Sequence, residues 1–304
     1  MDRIWGYWAA LSVALLFGMW FTVDKILLGN LQPFALAALT YLIASITLLT
    51  ITASPLHPKV LRILHGSTNV EKFITRREYG ILILTAIFGA VIAPSLSLYG
   101  LSQITAVNAA LLSNSEMLFI IIIGIFFLKE RVKKYDFVAF LFIILGTISL
   151  STNNFQDISL NPNLYGNLLV VGAAFFWSLD TSLSKLLSKK RDIIFITGVK
   201  CSIGALILLI ISFSMGLNFK LPPEQIPLLF LVSMGCLSFS LVLIYFAIRE
   251  IGSTRTGSIY ALSSLFGALI AFLLLNESLS LYQIFFGILM FLGVFILYKN
   301  QNNK

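Results

Sequence analysis

Three ionisable side chains lie where this chain can least easily accommodate charge. Glu116 sits in the stretch LLSNSEMLFI (111–120), in the middle of an apolar run from Thr105 to Leu128. At a helical rise of ~1.5 Å per residue, a mid-run position is about 18 Å from each end, close to the centre of a ~30 Å hydrocarbon slab. A carboxylate at that depth is costly unless it is paired, protonated or wetted. Asn114 and Ser113 lie within a turn of it and Asn108 about two turns away, so the polar stripe is wider than one residue. Ionisable residues inside spanning segments mark function by default. Glu116 and Asn114 are therefore candidates for a central aqueous site, with the acid as partner of a substrate amine or as proton carrier. The structural alternative is a protonated acid bonded to a neighbouring helix.

Asp180 and Lys200 form a second constellation. They lie about equally far from the two ends of a short joint between apolar runs, which predicts equal depth on a helical hairpin and an ion pair. Such a pair is either a latch or a group that changes partners around the ends of a zwitterion. Trp20, Trp177, Tyr99 and Tyr260 are of the type that lines a cavity and stacks on a ligand, as well as the type that packs or anchors. Asp24 and Lys25 lie near the end of the first run, where a lysine is expected to snorkel to the headgroups. His57 and His65 have no further ligands near them, so no metal site is expected. No P-loop, GxSxG elbow or HExxH helix occurs, which argues against ATP use and hydrolysis.

The elements that must position these groups follow from composition. The 304 residues are 58% hydrophobic and 11% charged, against roughly 25% charged in soluble domains. Apolar runs near spanning length fall at about 6–28, 33–52, 79–101, 105–128, 135–151, 164–187, 192–216, 226–248, 253–275 and 281–298. Pro94 is expected to kink the third. In the last joint, Ser280 and Gln283 have capping-box spacing. Cys201 and Cys236 both lie in apolar runs and are expected to pack as free thiols.

The +8 net charge looks like a nucleic-acid signal until its distribution is read. Of the 21 Lys and Arg, Lys25, Lys185 and Lys200 lie inside runs and Lys220 in a joint of one parity. The others fall at the termini or in joints of the opposite parity, including the long loop 53–78, with Arg255 in the first turn beyond such a joint. The positive-inside rule then gives ten crossings with both termini cytoplasmic, a lipid bilayer as partner and no nucleic acid.

The chain also matches itself. In one register Ala14, Phe17, Lys25 and Leu27 fall on Ala174, Trp177, Lys185 and Leu187. In another, LKERVKKY (128–135) falls on LNESLSLY (275–282), pairing Glu130 with Glu277 and Gly146 with Gly293. Each copy has five spans, so the second enters the membrane from the opposite side. The expected fold is an all-α integral membrane protein of ten transmembrane helices as two inverted five-helix repeats, 1–152 and 153–304. Glu130 and Glu277, closing the fourth span of each copy, are expected to hold joints together.

Five spans per unit, an aromatic in the first (Phe17, Trp177), an acid closing the fourth and a glycine late in the fifth recur in order in both halves. This pattern resembles the drug/metabolite transporter superfamily, in particular its EamA-type exporters. The resemblance implies a secondary transporter at the plasma membrane, without cofactor, exporting amino acids or other small metabolites by alternating access, with protons as a possible coupling partner. Met117 stands where the family often has proline after the acid, and Thr40 where it often has arginine. Readings from other classes are an intramembrane lipid-modifying enzyme, which would show a His/Asp/Glu cluster near one surface, and a channel, which would show a selectivity ring. The topology predicts that single cysteines introduced at Thr68 and Asn161 label from opposite sides of the membrane; labelling of both from one side would overturn it.

Overall fold

The computed structural model describes residues 3–65, 75–128, 134–152, 162–188 and 191–301, and among them every regular element is a helix. The first half contains α1 (Arg3–Leu27), α2 (Pro33–Ala53), α3 (His57–His65) and α4 (Arg76–Gln103), followed by α5 (Ala106–Leu112), α6 (Ser115–Leu128) and α7 (Lys134–Thr152). The second half has α8 (Pro162–Ser188), α9 (Ile193–Ser214) and α10, which passes from Ile226–Phe230 through a π-helical Leu231–Phe239 to Ser240–Ile251. It closes with α11 (Ser253–Tyr260), α12 (Ser263–Leu275) and α13 (Leu281–Gln301). Among the described residues, six helices are long and apolar enough to cross a membrane, and four shorter apolar helices cover Ala106–Ile120, Phe137–Ser149, Ser263–Leu275 and Leu281–Ile296.

Helix boundaries follow local chemistry. Pro33 opens α2 and Pro162 opens α8, where a missing N–H costs nothing. Thr75 and Glu78 form a reciprocal capping box at the start of α4. The Asp192 carboxylate accepts from the N–H groups of Ile194 and Phe195 and so caps α9. The Ser280–Gln283 box also forms: the Ser280 N–H donates to Gln283 Oε1 at 2.9 Å, and the Gln283 N–H to Ser280 Oγ at 3.2 Å.

Two of the expected spans are interrupted. The run 105–128 breaks at Ser113–Asn114, between α5 and α6, and the run 253–275 breaks at Ala261–Leu262, between α11 and α12. At the first break the side chains compete for the helical carbonyls, with Ser113 Oγ donating to Ala110 O and Ser115 Oγ to Leu112 O, each at 2.7 Å. The expected kink of α4 takes the form of a π-helical segment, Ile87–Ile92, just before Pro94. A π segment also interrupts α10, in the corresponding part of the second half.

Packing follows a pattern that repeats when the halves are exchanged. Helix α1 packs on α12 and α10, and α8 packs on α6 and α4; α2 pairs with α9, and α7 with α13. Close approach at the last pair needs the glycines that recur in sequence. A Cβ on Gly146 would strike Met290, and one on Gly293 would meet the Ala139 carbonyl at 2.8 Å. Cys201 and Cys236 are buried free thiols.

Lys25 does not snorkel. Its Nζ donates to the carbonyls of Leu101 and Ile104, both at 2.6 Å, where α4 ends and its last acceptors are otherwise unpaired. Glu277 shows why an acid is tolerated beyond the C-terminus of α12: it serves the N-terminus of another helix. Its two carboxylate oxygens accept from Ala106 N at 2.8 Å and Val107 N at 2.9 Å, tying the α12–α13 joint to the start of α5. Glu130, its counterpart in the sequence register, lies outside the described residues. Replacing Glu277 by Ala removes an anionic cap from two N–H groups and is expected to cost about 1–2 kcal/mol. In detergent this should appear as an earlier melt in a thermal-shift series; an unchanged midpoint would contradict the cap.

Candidate functional site

Where α8 faces α9 and α4, burial and charge meet. Lys200 Nζ donates to Asp180 Oδ2 at 2.7 Å, and Ser184 Oγ donates to Oδ1 at 3.0 Å. The pair expected from equal depth is therefore in contact, with side-chain exposures of 17% and 11%, so a charge that lost its partner would have little solvent to stabilise it. The next residue along α8 reaches the other acid, with Thr181 Oγ1 donating to Glu116 Oε1 at 3.3 Å. Glu116 is partly buried at the first turn of α6, where the N-terminal helix dipole favours an anion. Two acids and one lysine, from three helices, thus converge around the consecutive α8 residues Asp180 and Thr181.

The π segment in α4 shapes the wall beside them. Inside that segment the Ala93 N–H bonds back five residues to Phe88 O. The next donor in that ladder would be residue 94, but Pro94 has no N–H, so Gly89 O is left without it. The Tyr41 hydroxyl takes that position, donating to Gly89 O at 2.9 Å from the buried face of α2. Residue 89 must also be glycine on steric grounds, since a Cβ there would overlap the Asp180 carboxylate. Pro94, Gly89 and Tyr41 were not recognisable as a unit in sequence; Pro94 alone signalled a disturbed helix.

The two helix breaks meet across the halves. Asn114 Nδ2, at the α5–α6 break, donates to Ser264 Oγ at 2.8 Å, in the first turn after the α11–α12 break. Asn108 Nδ2 donates to Asn167 Oδ1 on α8 at 2.7 Å. Tyr260, Phe17, Trp20 and Trp177 form one aromatic group: Phe17 lies 5.3 Å from Tyr260 and 5.5 Å from Trp20, and Trp20 lies 6.5 Å from Trp177. The fourth aromatic, Tyr99, is not part of it and packs edge-on against Phe34 at 5.4 Å. Its separation follows from its position near the C-terminal end of α4, well beyond the π segment.

Nothing in the sequence pattern assigns Asp24 a role. Here it is buried at 4% exposure, and Trp20 Nε1 donates to its Oδ2 at 2.8 Å. The signal was present as an acid four residues after a tryptophan, one helical turn away. At the end of the molecule carrying α3, two further side-chain contacts join the halves. Arg191 holds Glu78 through two bonds of 3.0 and 2.9 Å, and His57 Nε2 meets Asp192 Oδ2 at 2.6 Å. Among the described residues no group of three or more metal-ligating side chains occurs.

Broken apolar helices, a polar seam between two similarly packed halves and paired charges at depth define a multi-pass membrane protein built to handle a solute. The profile of the EamA-like transporter family matches residues 4–152 and again 164–299, and the chain belongs to that family. It is a membrane transporter and not an enzyme. An uncharacterized transporter of Methanothermobacter thermautotrophicus is 47% identical over 99% of this chain and 88% of its own length. One from Archaeoglobus fulgidus is 26% identical over 96% and 98%. A probable amino-acid metabolite efflux pump of Salmonella typhimurium is 25% identical over 58% of this chain and 52% of its own. A solved crystal structure at 15% identity shares the fold, with a TM-score of 0.67 over 99% of both chains.

The buried pair yields a direct test. Asp180→Asn or Lys200→Met alone strands one charge and should cost about 3–5 kcal/mol, read as lost expression or an earlier melt. The exchange Asp180→Lys with Lys200→Asp should recover much of that loss. If the single variants melt with the parent, the contact is energetically idle.

Proposed function

We propose that the protein is a secondary transporter that moves small metabolites, of the amino-acid or related class, by alternating access of two inverted five-helix repeats around a central site. Residues 1–152 and 153–304 are the two units. The observation that carries the reading is the contact between Asn114 and Ser264, which brings the interrupted helices of the two halves together beside Glu116, Asp180 and Lys200. Interrupted spans expose backbone ends only where protein or a cavity satisfies them, the arrangement used at transporter midplanes. The exchange-symmetric packing, the matched π segments and the two matches to one family profile support the repeat. Six long and four shorter apolar helices support ten crossings, and the basic loops support cytoplasmic termini. The relative named as an amino-acid metabolite efflux pump supports the substrate class and outward direction.

In this reading Glu116 carries the coupling or binding role, with Thr181 as its bonded neighbour. Its register partner in the second half is Ser263, a neutral residue, so the charge belongs to one side of the pseudo-symmetry. An acid without a symmetric rival can alternate between a proton and a cationic group. Asp180 and Lys200 present an anion and a cation at similar depth, matching the two ends of a zwitterion. Glu116→Gln keeps size and hydrogen bonding and removes titration. Proteoliposomes carrying it should lose gradient-driven transport by tenfold or more while the protein remains monodisperse. Exchange without a gradient persists if the role is coupling and fails if it is binding. Unaltered pH-dependent transport would leave Glu116 as a structural hydrogen bond.

A further inference from the structure

We propose that Asp24, with the indoles of Trp20 and Trp177, forms a subsite for the ammonium group of a small aryl or alkyl amine. The proposal takes its setting from the transporter reading, but it concerns an acid to which that reading gives no task. The Asp24 side chain is 4% exposed and one of its oxygens, Oδ2, is occupied by the Trp20 N–H. Among the described residues, its other oxygen, Oδ1, has no hydrogen-bond partner. A buried carboxylate oxygen left in that state is a strong acceptor without a donor. The nearest basic residue in sequence does not supply one, because Lys25 is committed to the Leu101 and Ile104 carbonyls. Lys200 is committed to Asp180.

The walls fit a cation. Helix α1 packs on α12 and α10, and α8 packs on α4 and α6, so Trp20 and Trp177 reach towards each other from helices with other main partners. Both indoles are partly exposed although they sit between the halves. Phe17 and Tyr260 continue the aromatic surface. Aromatic faces attract an ammonium through the ring quadrupole, and donation of the Trp20 N–H to a carboxylate leaves that indole richer in electron density. An anion would meet repulsion from Asp24, and a neutral alcohol would leave its charge uncompensated.

The test uses the full chain in lipid nanodiscs, with binding read by intrinsic tryptophan fluorescence and by thermal shift. The probes are phenethylamine, 2-phenylethanol, 3-phenylpropionate and sodium chloride. Phenethylamine should bind saturably, with the alcohol and the carboxylate at least tenfold weaker. Asp24→Asn should weaken the amine tenfold or more. Trp177→Leu keeps the acid and removes one aromatic wall, and should weaken it about fivefold. Equal affinity for the amine in a monodisperse Asp24→Asn protein would overturn the proposal. If that variant does not fold, unchanged affinity in Trp177→Leu overturns it instead. Comparable binding of the alcohol, or stabilisation by sodium matching that by the amine, would overturn the ammonium assignment. Amine binding lost in both variants, without gradient-driven movement of any metabolite in proteoliposomes, sustains the subsite and ends the proposed gradient-driven, alternating-access reading. Transport of other metabolites without amine binding does the reverse.

Discussion

The cost of charge in an apolar interior is the constraint on which this structure depends. Asp180 and Lys200 lie deep in the helical assembly, and each is tolerable there because the other is 2.7 Å away. That contact joins α8 to α9. It also fixes what lies opposite, since Asp180 reaches so far towards α4 that residue 89 has no room for a side chain. The π segment, Pro94 and the Tyr41 hydroxyl then satisfy the backbone that this approach disturbs.

The same economy governs the helix ends. Lys25 and Glu277 both look misplaced in an apolar setting, and both are used on backbone groups that lack helical partners. The lysine takes the last carbonyls of α4, and the glutamate takes the first N–H groups of α5. These two ends are consecutive in the chain, so one short joint is held by a cation on one side and an anion on the other. Glu277 belongs to the other half of the molecule, which makes the bond a tie between halves as well as a cap.

Polar groups not used in this way gather at the seam between the halves. Asn114 with Ser264, Asn108 with Asn167, and Thr181 with Glu116 each cross between helices of different halves. At the end carrying α3, Arg191 with Glu78 and His57 with Asp192 do the same. The seam is thus held by discrete polar contacts more than by continuous apolar packing, and each of those contacts exchanges water bonds for protein bonds at a modest net gain.

The sequence by itself determined the class. Composition, ten apolar runs and their basic joints are properties of segments, and the bilayer acts on segments, so family membership and all-helical character were legible without contacts. Equal depth on a hairpin was likewise enough to pair Asp180 with Lys200. Whatever depends on azimuth needed the tertiary structure. Helical periodicity leaves the facing direction of an all-apolar helix undetermined, because no polar face marks the outside. That is why Trp20, Trp177 and Tyr260 converge with Phe17 while Tyr99 turns to Phe34, and why no pattern foretold it. Lys25 departs from expectation for the same reason: snorkelling assumes lipid on that side, and the fold puts the open end of α4 there. Asp24 acquired its place in the interior only when α1 was packed against α10 and α12.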